Sequence, residues 1–575
     1  MALASAVMFM VLTFPAFAAP ARCDVAYRLT PRLEAEPRAI DVELAFDAGR
    51  RTRTELRVPE SWAGVADYAA GIVELHAAKG QLLATTAPGA RTVTHRAGER
   101  IVVRYRVISP VATAGGKPWR DHADFYRVLL YADAFHFFGQ GVFVLPKLAD
   151  GDPAFHGCVT VTGVTPDAPI VTSFGTAHGP EATFRFHHNG EQLRDTLWLG
   201  GRLAVAQSSI AGRPVVTALY GTWPFAASTL SEVTTRIIAR EREFWRDLDH
   251  PYFAVSLVPN HAATGSYGGT AVYRAFAMHS ADDARVPGEK IETLIGHEYL
   301  HTWIPARFGS MGGEDEEPLH YWFSEGFTDF YTHRLRLRAD AAALDAYAAV
   351  QNERIRGYLT SPVRNADNRV VQAEFYRDTL TGELPYRRGE FLALRWDRLL
   401  RAKGKAGVDA MMRKLMLPAR IEATADSPRA TARLLVALGK SLGAGPAKDV
   451  QRFIERGETF EFDARDLGPC FTMTVSDQRT FALGFERRSL KERTLRGVDP
   501  EGPAHAAGAR DGQAIAGLSL RDGDVTRDVV LKVMIGGVAT PITYRPLSRE
   551  SIAVPVYSVR TDALADPACR AWLPQ

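Results

Sequence analysis

The sequence has no excess of either charge. Lys and Arg total 69 against 66 Asp and Glu, a net charge of +3, so nothing electrostatic points to a nucleic-acid partner. It has no low-complexity segment or long linker, and its share of hydrophobic residues, 46%, is that of an ordinary globular chain. Disorder, collagen and coiled coil are thereby excluded. Beyond the N-terminus no apolar run reaches the roughly 18 residues that a spanning helix needs. Cysteine is scarce, with only four residues. At roughly 100 to 200 residues per domain, 575 residues suggest three or four domains.

The first 21 residues carry no charge. An apolar run from Met1 to Phe17 ends in Ala16-Phe17-Ala18, the small-residue pattern of a secretory signal peptide cut after Ala18. The basic residues expected at the start of such a signal are missing, and an uncleaved anchor is the competing reading; Pro15 and the small residues favour cleavage. Secretion or a bacterial periplasm permits disulfides. Cys23 and Cys158 lie in the N-terminal third and Cys470 and Cys569 near the end, so the expectation is Cys23–Cys158 and Cys470–Cys569. Four buried free thiols are the alternative.

Three regions follow. From about 24 to 225, β-type segments dominate: Ile40, Val42, Leu44 and Phe46 alternate with polar or small residues, and Val103, Tyr105 and Val107 repeat the pattern. Asp47-Ala48-Gly49 and Asn189-Gly190 separate such runs as turn signals. A β-sandwich-like domain is expected. Its His136, His187 and His188 have no metal-ligand spacing and are taken as structural or surface residues. Near 228 the period changes. Thr229-Leu230-Ser231-Glu232 has capping-box form, and helical segments then run to about 460, including 339–356, 391–402 and 430–442, with a strand at 252–258. The last hundred residues return to short β-like runs.

The most informative segment is His297-Glu298-Tyr299-Leu300-His301, an H-E-x-x-H pattern on an apolar helix. Histidines four apart share a helix face and can converge on one tetrahedral zinc. Glu298 beside them can take a proton from a water whose pKa zinc lowers to about 7. Downstream, Trp322-Phe323-Ser324-Glu325-Gly326 reads as an apolar helix carrying a carboxylate. Glu325 completes a two-His, one-Glu set with a position left open for water. Asp329, one turn on, can accept the free ring N–H of a ligand histidine, expected to be His297; a helix-surface carboxylate is the alternative. A structural zinc site would need a fourth protein ligand, and none is evident.

These segments resemble the gluzincin metallopeptidases, and in particular the glycyl aminopeptidase family. The resemblance spans nearly the whole chain. It implies a multidomain α+β protein with an N-terminal β domain (19–225), a thermolysin-like, mainly helical zinc peptidase domain (226–465) and a C-terminal PDZ-like domain (466–575). It implies one Zn2+ per chain on His297, His301 and Glu325, with Glu298 as general base and peptide or protein substrates. Tyr386, in Pro385-Tyr386-Arg387-Arg388-Gly389, matches the Tyr-x-[Lys/Arg]-Gly motif whose phenol stabilises the oxyanion. Gly268 and Gly269 match the glycines of the substrate-aligning edge strand. The family's amine-binding glutamate is replaced by Ala271, which leaves aminopeptidase and endopeptidase action both open. Phe481-Ala482-Leu483-Gly484-Phe485 is similar to a PDZ carboxylate-binding loop, so Leu483, Gly484 and Phe485 are candidates for holding a C-terminal peptide. A domain that only packs against the catalytic unit is the alternative. A non-catalytic peptide-binding protein with a vestigial zinc site would be expected to lack a catalytic residue, and none is missing.

Overall fold

A computed structural model of the chain describes residues 23–574, except 78–80, 85–88, 110–121, 150–151, 261–265, 282–287, 314 and 419–426. The expected signal peptide, 1–18, lies outside the described residues. The chain divides into two compact units, one comprising 1–205 with 218–221 and 256–263, the other 206–217, 222–255 and 264–575.

The first unit is built from β-sheets. A six-stranded sheet runs, in order, Glu181–His188, Phe155–Thr162, Val25–Arg32, Ala39–Asp47, Arg100–Ile108 and Ile72–Ala77. The two alternating runs read from the sequence are neighbours in it: Ile40 faces Val107, Val42 faces Tyr105 and Leu44 faces Val103. All six side chains are buried, as cross-strand apolar pairs on one face of a half-buried sheet should be. With Leu56, Val93, Phe137, Val159 and Trp198 they form one core under two smaller sheets. Cys23 and Cys158 are bonded. Asn189-Gly190 is a helix start rather than a strand turn: the Asn189 side chain accepts from the Gln192 amide and caps Gly190–Arg194. His136 is fully buried in the strand Ala134–Phe138, whereas His187 is exposed.

The second unit holds the H-E-x-x-H segment. Its first helix, α1 (Ala227–Trp245), begins two residues before Thr229. The Thr229 amide already donates to the Ala226 carbonyl, so it needs no side-chain cap and the capping-box pattern goes unused. Strand β1 (Tyr267–Val272) pairs antiparallel with β2 (Ala275–Ser280) and stands at an edge of its sheet among the described residues. Then come α2 (Glu289–Leu300), α3 (Tyr321–Arg334), α4 (Ala341–Leu359) and α5 (Leu384–Ala402). No helix among the described residues is long and apolar enough to cross a membrane.

The C-terminal region belongs to this same unit. It combines a long antiparallel pair, Phe471–Phe481 with Leu547–Val559, and a three-stranded sheet, around a core of Leu495, Ala504, Val529, Leu531 and Val533. Cys470 is bonded to Cys569 on the last helix. The Asn352 amide on α4 both donates to and accepts from the backbone of Tyr557, at 2.8 Å each way, so a side chain stands where a neighbouring strand would. Arg487 pairs with Asp378 and Asp522, and Arg334 donates to the Trp572 carbonyl.

Candidate metal centre and active site

α2 presents His297 and His301 on one face, and α3 brings Glu325 to them. The three side chains form a group of possible metal ligands. Glu325 Oε2 lies 3.3 Å from His297 Nε2 and 3.6 Å from His301 Nε2. Donors at 2.0–2.2 Å from a tetrahedral zinc stand about 3.3–3.5 Å apart, close to both of these distances, so the donor set suits that ion. The ring orientations agree. His297 Nδ1–H donates to Asp329 Oδ1 at 2.8 Å, and His301 Nδ1–H donates to the Ile304 carbonyl at 2.8 Å. Both rings are thereby held as the tautomer that turns a bare Nε2 toward the metal position. Asp329 reaches the ring from one turn beyond Glu325 on α3.

Asp329 is held in turn by a network that the sequence did not announce. Arg354 on α4 donates to Asp329 Oδ2 at 2.5 Å and pairs with Glu390 on α5. Glu390, fully buried, also accepts from His333 Nδ1 at 2.8 Å and from Gln351 at 2.6 Å. Burial by itself would raise the Asp329 pKa, but the Arg354 charge and the hydrogen bond from His297 outweigh it and keep the carboxyl below its ordinary range. Nothing in the sequence singles these residues out, since α5 also buries Arg388 and Asp397 and α4 also buries Gln351.

Glu298 points to the other side of α2. Its Oε2 accepts from the Ala271 backbone amide on edge strand β1, at 3.0 Å. Burial pushes its carboxyl up, partly opposed by the charges of His301 and His297. Ala271 therefore supplies no carboxylate to the cleft, but its amide orients the candidate base. Gly268 and Gly269 lie on the same strand, opposite His279 and Met278. A Cβ on Gly269 would stand 2.5 Å from the Ala277 carbonyl oxygen, so the strand pairing itself demands glycine there.

Tyr386 occupies the first turn of α5. Its ring lies 5.8 Å from that of His297, nearly parallel to it. Burial, followed by the carboxylates of Glu325 and Asp329, raises its pKa well above that of a free phenol, so it remains a donor. Its position is set where α3 and α5 cross. A Cβ on Gly326 would stand 2.4 Å from Gly389 Cα, and one on Gly389 would stand 1.7 Å from the Trp322 carbonyl oxygen. The two glycines let the helix backbones touch, which locks the phenol to the helix carrying Glu325.

The structure thus brings His297, His301, Glu325, Glu298, Asp329 and Tyr386 together beside β1. Leu483, Gly484 and Phe485 lie elsewhere, in the C-terminal region. Leu483 and Phe485 point into its core, the Leu483 carbonyl accepts from Tyr544 at 2.7 Å, and Gly484 packs against Ala504 with φ +82°. The residues that follow form the short helix Arg488–Glu492.

The model of the M61 glycyl aminopeptidase family matches residues 290–377, the stretch from α2 through Glu325 and Asp329 to the residues before α5. Among solved structures, an aminopeptidase N family protein from Idiomarina loihiensis aligns over 96% of this chain and all of its own, with a TM-score of 0.69 at 14% identity. An M1 zinc metallopeptidase from Deinococcus radiodurans, solved as a point mutant with a Tyr-Ser-Ala substrate, aligns over 76% of this chain and 94% of its own, with a TM-score of 0.47 at 16% identity. No curated protein matches the chain in sequence. The first of these likenesses establishes a multidomain α+β fold of the aminopeptidase N kind. The family match falls on the helices that carry the His–His–Glu group, so over this stretch the chain is similar to the M61 glycyl aminopeptidases.

Proposed function

We propose that the protein is a secreted or periplasmic peptidase, aminopeptidase-like in action, that holds one zinc ion per chain on His297, His301 and Glu325. The observation that carries the proposal is the spacing of the three donors, with Glu298 beside them and tied to an edge strand. A zinc ion held there supplies the positive charge that acidifies water and polarises a carbonyl. Strand β1, at the edge of its sheet among the described residues, offers an extended substrate a strand to lie along. Glu298 takes the proton of the attacking water and passes it to the departing amine. The Tyr386 phenol donates to the carbonyl oxygen as that oxygen gains charge. Asp329, backed by Arg354, holds His297 in place throughout.

Two disulfides, one near each end of the described chain, suit an oxidising compartment. The division into an N-terminal β domain to 225, a thermolysin-like domain to 465 and a PDZ-like domain beyond agrees with the run of strands, helices and strands. The C-terminal domain is proposed to assist peptide capture, with the backbone of the Leu483–Phe485 loop as the candidate carboxylate holder.

The test combines metal analysis with a peptide-library digest of the wild type and Glu298→Gln. The variant is expected to keep zinc and lose turnover by about 10²- to 10⁴-fold. Equal activity in the two proteins removes Glu298 as the base. Comparing free with N-acetylated peptides separates aminopeptidase from endopeptidase action, which Ala271 leaves open because it brings no carboxylate for a substrate amine.

A further inference from the structure

Behind the metal ligands, α3, α4 and α5 meet on a set of buried charges, and one side chain there reaches two helices at once. Arg354, on α4, donates to Asp329 Oδ2 on α3 at 2.5 Å and pairs through Nε with Glu390 Oε2 on α5. Asp329 is shared between two donors, since its Oδ1 accepts from His297 Nδ1 at 2.8 Å. Glu390 is shared in the same way, its Oε1 accepting from His333 on α3 and from Gln351 on α4. Asp329 and His333 are one turn apart on α3. One face of α3 is therefore tied to α5 by two routes, directly from His333 and through Arg354 from Asp329.

The same tie bears on Tyr386. Glu390 stands one turn after it on α5, on the same face. The contact of Gly326 with Gly389 sets how closely α3 and α5 approach. A contact between bare backbones does not fix how α5 is turned about its own axis. Glu390 does: a turn of α5 that swung the phenol aside would pull its carboxylate off Arg354 and His333 and leave buried charges without partners. Arginine suits this post because its planar fork directs separate N–H groups at two carboxylates, which the point charge of an ammonium does not.

We infer that Arg354 is a positioning residue for two parts of the active site at once, orienting the ring of His297 through Asp329 and the phenol of Tyr386 through Glu390. That the two parts serve one reaction rests on the peptidase reading; the linkage between them rests on the side chains alone.

The experiment reads the two branches separately in the full chain. Zinc affinity, from competition with a chelator, reports the Asp329 branch. The fluorine resonance of a fluorinated tyrosine in place of Tyr386 reports the Glu390 branch and needs no turnover. Arg354→Gln is expected to weaken zinc by at least about tenfold and to shift the resonance. In an Asp329→Asn background the same change is expected to leave zinc affinity where Asp329→Asn alone put it, yet still to shift the resonance. In a Glu390→Gln background it is expected to weaken zinc but to shift the resonance no further. Peptide turnover at saturating zinc is expected to fall by about 10²-fold in kcat with KM little changed. Arg354→Lys keeps the buried charge and carries the test if Arg354→Gln does not fold; it is expected to move both readouts the same way by less. Wild-type zinc affinity or a wild-type resonance in these variants, or zinc losses that add in the Asp329→Asn background, would each overturn the assignment. A wild type that turns over no peptide removes the peptidase reading instead, and zinc affinity and the resonance still decide this one.

Discussion

Gly389→Ala tests whether the contact between α3 and α5 sets the geometry of the active site. The added methyl would lie 1.7 Å from the Trp322 carbonyl oxygen, 2.7 Å from its carbon and 2.8 Å from Gly326 Cα. All three are backbone atoms of α3, so no side chain can swing aside. Ordinary contacts are about 3.5 Å, so the helices must part by about 1–2 Å. Overpacking of this kind costs about 1–3 kcal/mol of stability. The catalytic cost follows from what the helices carry. Glu325 rides on α3 and Tyr386 on α5, and a misplacement of about 1 Å between reacting groups costs about 10²-fold in rate, or about 2.7 kcal/mol of barrier. The zinc ligands all lie on α2 and α3 or at their ends, so metal content is expected to stay as in wild type. The assay is kcat and KM on a free peptide, with metal analysis and a thermal melt of the same sample. A variant with wild-type kcat and wild-type melting would refute the view that this crossing positions Tyr386.

Two further outcomes follow from buried groups. Asp329→Asn removes the charge facing His297 and leaves Arg354 with Glu390 alone; zinc affinity, measured by competition with a chelator, is expected to fall by about 10- to 100-fold, and unchanged affinity would show that the tautomer is fixed elsewhere. His136 is held neutral because burial drives its pKa down to about 3 from an ordinary 6.5. Below pH 6.5 the unfolded chain takes up a proton that the folded one refuses. Stability therefore falls as pH drops from 6.5 toward 3, by about 1.4 kcal/mol per unit for this residue. Denaturant melts of His136→Gln across that range are expected to show a shallower acid slope than wild type, and an equal slope would mean that His136 does not contribute.

How much could be read before the fold was known depended on whether the signal was local. Helix periodicity places His297 and His301 on one face wherever that helix lies, and the alternation of Ile40, Val42, Leu44 and Phe46 specifies a half-buried strand in any sheet. Asp329 was legible for the same reason, being one turn from Glu325. Thr229 misled because capping is decided by which amides lack partners, and α1 had already satisfied that one. Asn189-Gly190 misled in the same way, since asparagine serves a helix cap as readily as a turn.

Residue type and period place His297 and His301 on one helix face and Glu325 and Asp329 on one face of another, since these spacings hold on any helix; that the two faces meet is decided by packing. The cysteine pairing was legible too, because each pair lay within one β-rich region. Packing was needed before Ala271 could lend its amide to Glu298, before Arg354 and Glu390 could stand behind Asp329, and before Gly326 could meet Gly389. Those contacts join residues from 25 to 63 positions apart on separate helices and strands. No local period encodes such meetings; they exist only once the elements pack.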